Sequence, residues 1–110
     1  MTAVRRWLKS FCHGAAYSTE LCDDAELVVS ELVGNAVRHS GTVIHVEVAA
    51  LADLPGMWLC VRDESTRPVK PREVDLLSEG GRGLQLVDYL SSRWGVEANA
   101  EGKRVWAEVS

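Results

Sequence analysis

The segment Glu31-Leu32-Val33-Gly34-Asn35-Ala36-Val37-Arg38-His39-Ser40 decides how the rest of the sequence is interpreted. It closes a longer stretch in which apolar side chains recur at helical spacing, at Leu21, Ala25, Val28, Val29, Leu32 and Ala36. Acidic residues crowd the start of this stretch, where the positive end of a helix dipole favours them. Gly41 follows its end and is a suitable helix terminator. The pattern predicts one long amphipathic helix.

Two polar residues of this helix, Glu31 and Asn35, are four positions apart and therefore neighbours on one edge of the apolar stripe. We expect them where the core meets solvent. An amide oxygen is a hard ligand suited to Mg²⁺, and a carboxylate can accept a proton from a hydroxyl group. The same two residues could equally border the solvated face of the helix, so their spacing alone leaves both interpretations open.

The segments on either side of this helix predict an α+β fold. Val4, Trp7, Leu8 and Phe11 follow the spacing of an amphipathic first helix. Further along, alternating apolar residues predict two β-hairpins, 43–50 with 57–62 and 93–98 with 103–109, and helical spacing predicts a short helix over 84–90. We expect a single domain, residues 1–110, built as a two-layer α/β sandwich with the helices on one face of a mostly antiparallel sheet.

Residues 63–83 lie between the first hairpin and the short helix, and their pattern is broken repeatedly by proline and glycine. The segment ends in Gly80-Gly81-Arg82-Gly83-Leu84, which opens a helix. Backbone N–H groups at such a turn can approach phosphate closely, although a plain turn explains the glycines too. Asp63 ends an apolar strand, where its carboxylate could accept a hydrogen bond from a base amine or close an Asx turn.

Composition limits the classes of function. The chain has 110 residues, of which 46% are hydrophobic and 25% charged, as in soluble globular proteins. A net charge of −4 argues against nonspecific nucleic-acid binding. Apolar runs are too short to cross a bilayer and the amino terminus lacks the apolar core of a secretory signal, so we expect a cytoplasmic protein.

Several residues with reactive or bulky side chains have simpler structural interpretations. Cys12, Cys22 and Cys60 form no CxxC motif, so we expect small core residues in a reducing compartment. His39 is expected to be a satisfied histidine at the helix end. The four tryptophans are expected to anchor the core or an interface.

Taken in order, three segments closely resemble the N, G1 and G2 boxes of the GHKL (Bergerat-fold) ATPases. They are residues 31–40, Val61-Arg62-Asp63, and Gly80-Gly81-Arg82-Gly83-Leu84-Gln85-Leu86-Val87. Within that superfamily the chain is most similar to the short anti-sigma-factor serine/threonine kinases of Gram-positive bacteria, especially actinomycetes. The resemblance implies a histidine kinase-like ATPase fold with ATP and Mg²⁺ as ligands.

The resemblance also implies a role for each matching residue. Asn35 would coordinate the Mg²⁺ that bridges the ATP phosphates, and Glu31 would be the general base toward a serine or threonine hydroxyl of a protein substrate. Asp63 would accept a hydrogen bond from the adenine amino group. Residues 64–82 would form a lid over ATP. The residues implied to lie at the phosphates are Gly81, Arg82, Gly83 and Leu84, with Arg38 facing either the phosphates or a partner.

The function implied is that of an anti-sigma factor, which sequesters a sigma factor and phosphorylates an anti-anti-sigma partner of the STAS type. The chain departs from the family pattern at Ser65, where the G1 box usually has glycine, and at Arg104, where members often carry an adenine-site threonine. A catalytically inactive, ATP-binding pseudokinase module, and a detached catalytic domain of a histidine kinase, therefore stay open. No nucleic acid or membrane is expected as a direct partner, and a homodimer stays open.

Overall fold

The structure is a computed structural model that describes residues 2–65 and 82–110. Within these ranges the elements follow in the predicted order, with slightly different ends. They are α1 (Thr2–Ala15), α2 (Thr19–Ser40), β1 (Ile44–Ala50), β2 (Met57–Asp63), α3 (Arg82–Leu90), β3 (Arg93–Asn99) and β4 (Gly102–Val109).

The long helix α2 begins and ends at residues that suit its termini. The hydroxyl of Ser18 caps its amino end by accepting a hydrogen bond from the Leu21 amide at 3.2 Å, which satisfies one of the free donors of the first turn. Gly41 has a φ of 67° and ends the helix in the left-handed conformation that glycine adopts without strain. The predicted helix terminator is therefore confirmed.

The four described strands form one antiparallel sheet in the order β1-β2-β4-β3. Both predicted hairpins are present, and they join through β2 and β4, so the central pair of strands comes from distant parts of the chain. The register places Ile44 opposite Asp63 and Arg62 opposite Arg104. The α+β fold class is confirmed.

The core lies between the helices and one face of this sheet. Met57, Leu59 and Val61 of β2 point toward the helices and are buried with Val29 and Leu32 of α2. α2 packs against β2, and it also contacts α1 and α3, so it is the central helix of its layer. Each fully buried aliphatic side chain contributes about 1.5–3 kcal/mol to folding, and this contribution fixes α2 on the sheet.

The opposite face of the sheet carries tryptophan and charged side chains. The indole of Trp106 lies flat over Gly95, where an added Cβ would come within 2.9 Å of its Nε1. The guanidinium of Arg93 lies 5.7 Å from the Trp106 ring and binds Glu108 with two hydrogen bonds. None of the four tryptophans is fully buried. Trp94 is half-buried and packs against the core, in agreement with the core role expected for it. The alternative role of the tryptophans at an interface stays a prediction.

The cysteines are free thiols, as expected: Cys12 and Cys60 are buried, whereas Cys22 is half-buried. In the part of the chain that the structure describes, no helix has the length and apolar character needed to cross a membrane.

Candidate functional site

Glu31 and Asn35 lie one turn apart on α2, and both are half-buried. Leu32, adjacent to Glu31 in the chain, is buried in the core. The two polar side chains therefore lie at the border between core and solvent, as the helical wheel predicted. Within residues 2–65 and 82–110, the Glu31 carboxylate makes no hydrogen bond or ion pair, which leaves it available to a ligand.

The side-chain oxygen of Asn35 is already in contact with a cation. Arg38, one turn further along α2, donates a hydrogen bond from Nη2 to Asn35 Oδ1. Its guanidinium lies over Gly34, where an added Cβ would be 3.5 Å from Nη1. Positive charge is thus favourable at the oxygen to which the family resemblance assigns a metal ion.

The carboxyl end of α2 and the end of β2 lie at the same end of the molecule. α2 ends at Ser40 and β1 begins at Ile44, which pairs directly with Asp63. The Glu64 amide donates a hydrogen bond to Thr42 Oγ1 at 3.0 Å, which ties the two connections together. The sequence-predicted residues Asn35, Arg38 and Asp63 therefore share one end of the fold.

Asp63 is a buried carboxylate, with 2% of its surface exposed. Its Oδ1 accepts hydrogen bonds from the Ser65 amide at 2.9 Å and from the Lys103 amide at 3.4 Å. The bond to Ser65 forms the Asx turn that the alternative interpretation predicted. Because the Lys103 amide of β4 and the amide of Ser65, two residues after β2 ends, hold the same oxygen, the carboxylate has a fixed position at the edge of the helix-facing side of the sheet.

Gly102 is a residue of this region that the sequence reasoning missed. It has a φ of 146°, and an added Cβ would lie 2.0 Å from the Asp63 carbonyl oxygen. Only glycine fits this close approach, because any side chain would collide with the backbone and strain its own conformation. The sequence shows a glycine at the end of the turn over residues 99–102, but the contact of this glycine with Asp63 depends on the pairing of β2 with β4.

The start of α3 is placed by its connections. α3 ends beside β4, where the Ser92 amide donates to the Glu108 carbonyl oxygen at 2.8 Å. Glu108 pairs with Trp58, at the end of β2 remote from Asp63. Since α3 packs against α2 and buries Leu84 and Val87 in the core, it runs back along the helical layer, and its first turn points toward the Asp63 end.

The structure places the remaining phosphate-site residues only in part. Arg82, Gly83 and Leu84 form the first turn of α3, and Leu84 can offer only its backbone because its side chain is in the core. Gly81, with Gly80, lies outside the described residues, as does the expected lid except for its ends. The side chain of His39 is also outside them.

Arg104 does not lie where the resemblance implied. It is on the face of the sheet turned away from the helices, and its Nε donates to Glu97 Oε2 at 2.7 Å. The neighbouring residue, Lys103, supplies the backbone amide beside Asp63 instead. Successive residues of a strand point to opposite faces of the sheet, so an alignment to the family that is shifted by one residue exchanges the two faces.

The oxygen atoms available here suit a cation that takes few ligands from the protein and the others from a second bound molecule. No three His, Cys, Asp or Glu side chains among the described residues are grouped to hold a metal ion. Mg²⁺ in nucleotide sites usually takes only one or two protein oxygens and completes its shell with phosphates and water. A single amide oxygen such as Asn35 Oδ1 fits that pattern.

Comparison with known proteins identifies the family. The chain matches the family described as histidine kinase-like ATPase domain over residues 1–109, and it belongs to that family. Membership of this family implies that the chain binds ATP and belongs to the class of kinase-like ATPases. A comparison with curated proteins finds no match.

Solved structures show the same fold. The Erythrobacter litoralis EL346 blue-light activated histidine kinase is similar over 84% of this chain and 31% of its own, with a TM-score of 0.66 and 24% identity. The histidine kinase domain from the same protein is similar over 82% of this chain and 44% of its own, with a TM-score of 0.62 and 23% identity. The chain thus spans less than half the length of these two structures.

Proposed function

We propose that this chain binds ATP with Mg²⁺ and acts as an anti-sigma factor with serine/threonine kinase activity toward an anti-anti-sigma protein of the STAS type. The observation that supports the proposal is that the carboxyl-terminal part of α2, with Asn35 and Arg38, and the end of β2, with Asp63, share one end of the fold, toward which the first turn of α3 points. Glu31 lies one helical turn before Asn35 on α2. Family membership supports the ATP-binding part of the proposal.

Phosphoryl transfer asks a protein mainly to position the reactants and to stabilise charge. Bound Mg²⁺ would neutralise charge on the phosphates, and Asn35 Oδ1 is the protein oxygen that would hold it. The amides of the first turn of α3 would bind phosphate oxygens at the positive end of that helix. Arg38 would leave Asn35 when the metal binds and then face the phosphates.

Glu31 is proposed to act on the acceptor hydroxyl. Its carboxylate would take the proton as the hydroxyl oxygen of a serine or threonine attacks the γ-phosphorus and the bond to the ADP leaving group breaks. Its half-buried position suits this role, because the group must reach a protein substrate at the surface while staying beside the phosphates.

Asp63 is proposed to select adenine. Ser65 and Lys103 hold its Oδ1, and this orients the carboxylate to accept a hydrogen bond from the exocyclic amino group of the base. The placement of Arg104 on the opposite face supports this assignment, since its charge does not enter the adenine side of the sheet.

A second candidate function is an ATP-binding module that holds its partner without transferring phosphate. Ser65 favours it, because this residue stands where the G1 box usually has glycine. Incubation with radiolabelled ATP and a STAS partner distinguishes the two. Transfer of label that Glu31→Gln abolishes supports the kinase, whereas partner binding without label, equal in the wild type and Glu31→Gln, supports the binding module.

A further inference from the structure

The helices α1 and α2 lie side by side and are joined by only three residues, 16–18. Side chains bridge the two helices at successive levels. Lys9 Nζ of α1 lies 3.9 Å from Glu26 Oε1 of α2. Further from the connection, Arg5 Nε donates a hydrogen bond to Ser30 Oγ at 2.9 Å. The helices are therefore antiparallel, and residues at about equal distances from the connection lie opposite each other.

Cys12 and Cys22 occupy the level of this helix pair that is nearest to the connection. Cys12 is three residues before the end of α1, and Cys22 is three residues after the start of α2. They lie one helical turn nearer to the connection than Lys9 and Glu26, which are in contact across the pair. Burial, and then a hydrogen bond with the Cys22 thiol, raises the pKa of Cys12 to about 12. The two thiols are thus neighbours, which is the first requirement for a disulfide bond.

A cleft of about 380 Å³ opens beside the two thiols. Cys12 and Cys22 both line this cleft, although Cys12 is only 5% exposed and Cys22 is half-buried. A water molecule takes up about 30 Å³, so a small oxidant has room to approach either sulfur atom. Cys60 is in a different place, because it lies between the helix-facing residues Leu59 and Val61 of β2 and points to the other face of the sheet.

We propose that Cys12 and Cys22 form a dithiol site that hydroperoxides oxidise to a disulfide bond between α1 and α2. The sulfur of Cys22, the more exposed of the two, attacks the O–O bond of the hydroperoxide. Cys22 becomes a sulfenic acid, and the other oxygen leaves as an alcohol, or as water when the oxidant is hydrogen peroxide.

The second step uses the thiol on α1. The sulfur of Cys12 attacks the sulfur of Cys22, the S–O bond breaks, and the oxygen leaves as water with the proton of Cys12. Over both steps the two thiols lose two electrons and two protons, and one hydroperoxide is reduced to water and an alcohol. A dithiol reductant returns the disulfide to the free thiols by exchange.

The dithiol site lies far from the residues proposed to bind ATP. Cys22 is in the first turn and a half of α2, whereas Asn35 is thirteen residues further along the same helix, which is about 20 Å at the rise of an α-helix. The proposal therefore does not depend on the proposed kinase function. The new bond would close the chain segment 12–22 into a loop and hold α1 on α2, so we expect the oxidised chain to unfold at a higher temperature than the reduced chain.

Oxidation of the folded, full-length chain with hydrogen peroxide tests the proposal. The reduced protein has three free thiols, and we expect thiol titration to find only one after oxidation, in a chain that stays monomeric on non-reducing electrophoresis. Glu20 is the only glutamate between Cys12 and Cys22, so a glutamate-specific protease separates the two cysteines. We expect their fragments to stay joined after this cleavage until dithiothreitol is added.

Cysteine variants provide the controls. Cys60→Ala is the matched control and is expected to lose both of its thiols on oxidation. Cys12→Ala is expected to stop at the sulfenic acid of Cys22, which dimedone traps. Three thiols remaining in the oxidised wild type, a disulfide that includes Cys60, or a bond between two chains would each overturn the proposal. If a variant does not fold, the fragments of the oxidised wild type decide the matter.

Discussion

The guanidinium of Arg38 binds the side-chain oxygen of Asn35 from one helical turn further along α2. Arg38 is exposed and Asn35 is half-buried, so a ligand can replace this contact without disturbing the core. The same oxygen can therefore serve an arginine in the free chain and a metal ion in the complex. Substitutions at this pair are expected to affect ligand binding more than folding.

Asn35→Ala is expected to lower the affinity for ATP in the presence of Mg²⁺ by about 10-fold or more, because a ligand of the cation is lost. Affinity in EDTA should change little. Calorimetric titration with ATP in both conditions measures the difference, and thermal unfolding checks the fold. Val37→Ala is the matched control, since Val37 is on the same helix and 60% exposed. Equal Mg²⁺ dependence in Asn35→Ala and wild type would contradict the assignment.

Asp63→Asn is expected to weaken ATP binding by about 10-fold while leaving the binding of inorganic triphosphate nearly unchanged. The reason is that only ATP carries an adenine amino group, which would donate a hydrogen bond to the Asp63 carboxylate. The asparagine oxygen can still accept hydrogen bonds from Ser65 and Lys103, so the turn is preserved. Glu64→Gln, at the next and exposed carboxylate, is the control. Equal losses for both ligands would argue against an adenine contact.

Gly102→Ala is expected to destabilise the fold by about 3 kcal/mol or more, because the new Cβ meets the Asp63 carbonyl oxygen and the backbone has a φ of 146°. Gly14→Ala is the contrasting variant. Gly14 lies in α1 with nothing within 4 Å of an added Cβ, so the free energy of unfolding should rise by about 0.5–1 kcal/mol. Urea denaturation measures both changes, and similar values would show that the Gly102 contact is not restrictive.

Stability at high pH is expected to depend on Cys12. Burial, together with the neighbouring Cys22 thiol, raises the pKa of Cys12 to about 12. A raised pKa means that the folded state holds the proton more tightly than the unfolded chain, whose thiol titrates near 8.5. This contribution to the free energy of unfolding is complete below that value and is lost as the pH rises toward about 12.

Urea denaturation at pH 8 and at pH 10.5 measures this effect. Cys12→Ala lacks the titrating thiol, so its free energy of unfolding should fall less than that of the wild type over this interval. Parallel losses in the two proteins would show that other groups dominate at alkaline pH.

The sequence was sufficient to predict those features that depend on local pattern. The apolar stripe predicted α2 and the edge position of Glu31 and Asn35, and the alternation of apolar residues predicted both hairpins. These predictions succeed because periodicity and burial are directly related in helices and strands.

Features that depend on long-range pairing could not be predicted in this way. The contact of Gly102 with Asp63 and the outward position of Arg104 both follow from the register of β2 against β4. That register joins residues forty apart, as in the bond from Lys103 to Asp63, and no local pattern encodes it. The incomplete burial of the tryptophans is a similar case, because an aromatic side chain suits a sheet margin as well as a core.

The central position of β4 has a consequence for biosynthesis. β2 leaves the ribosome well before β4, and until β4 follows, one side of β2 has no partner strand and α2 has only half of its sheet to cover. Contacts this distant in sequence form late and slowly. We therefore expect the side of β2 that faces β4 to stay open to pairing with other chains until the second hairpin has emerged.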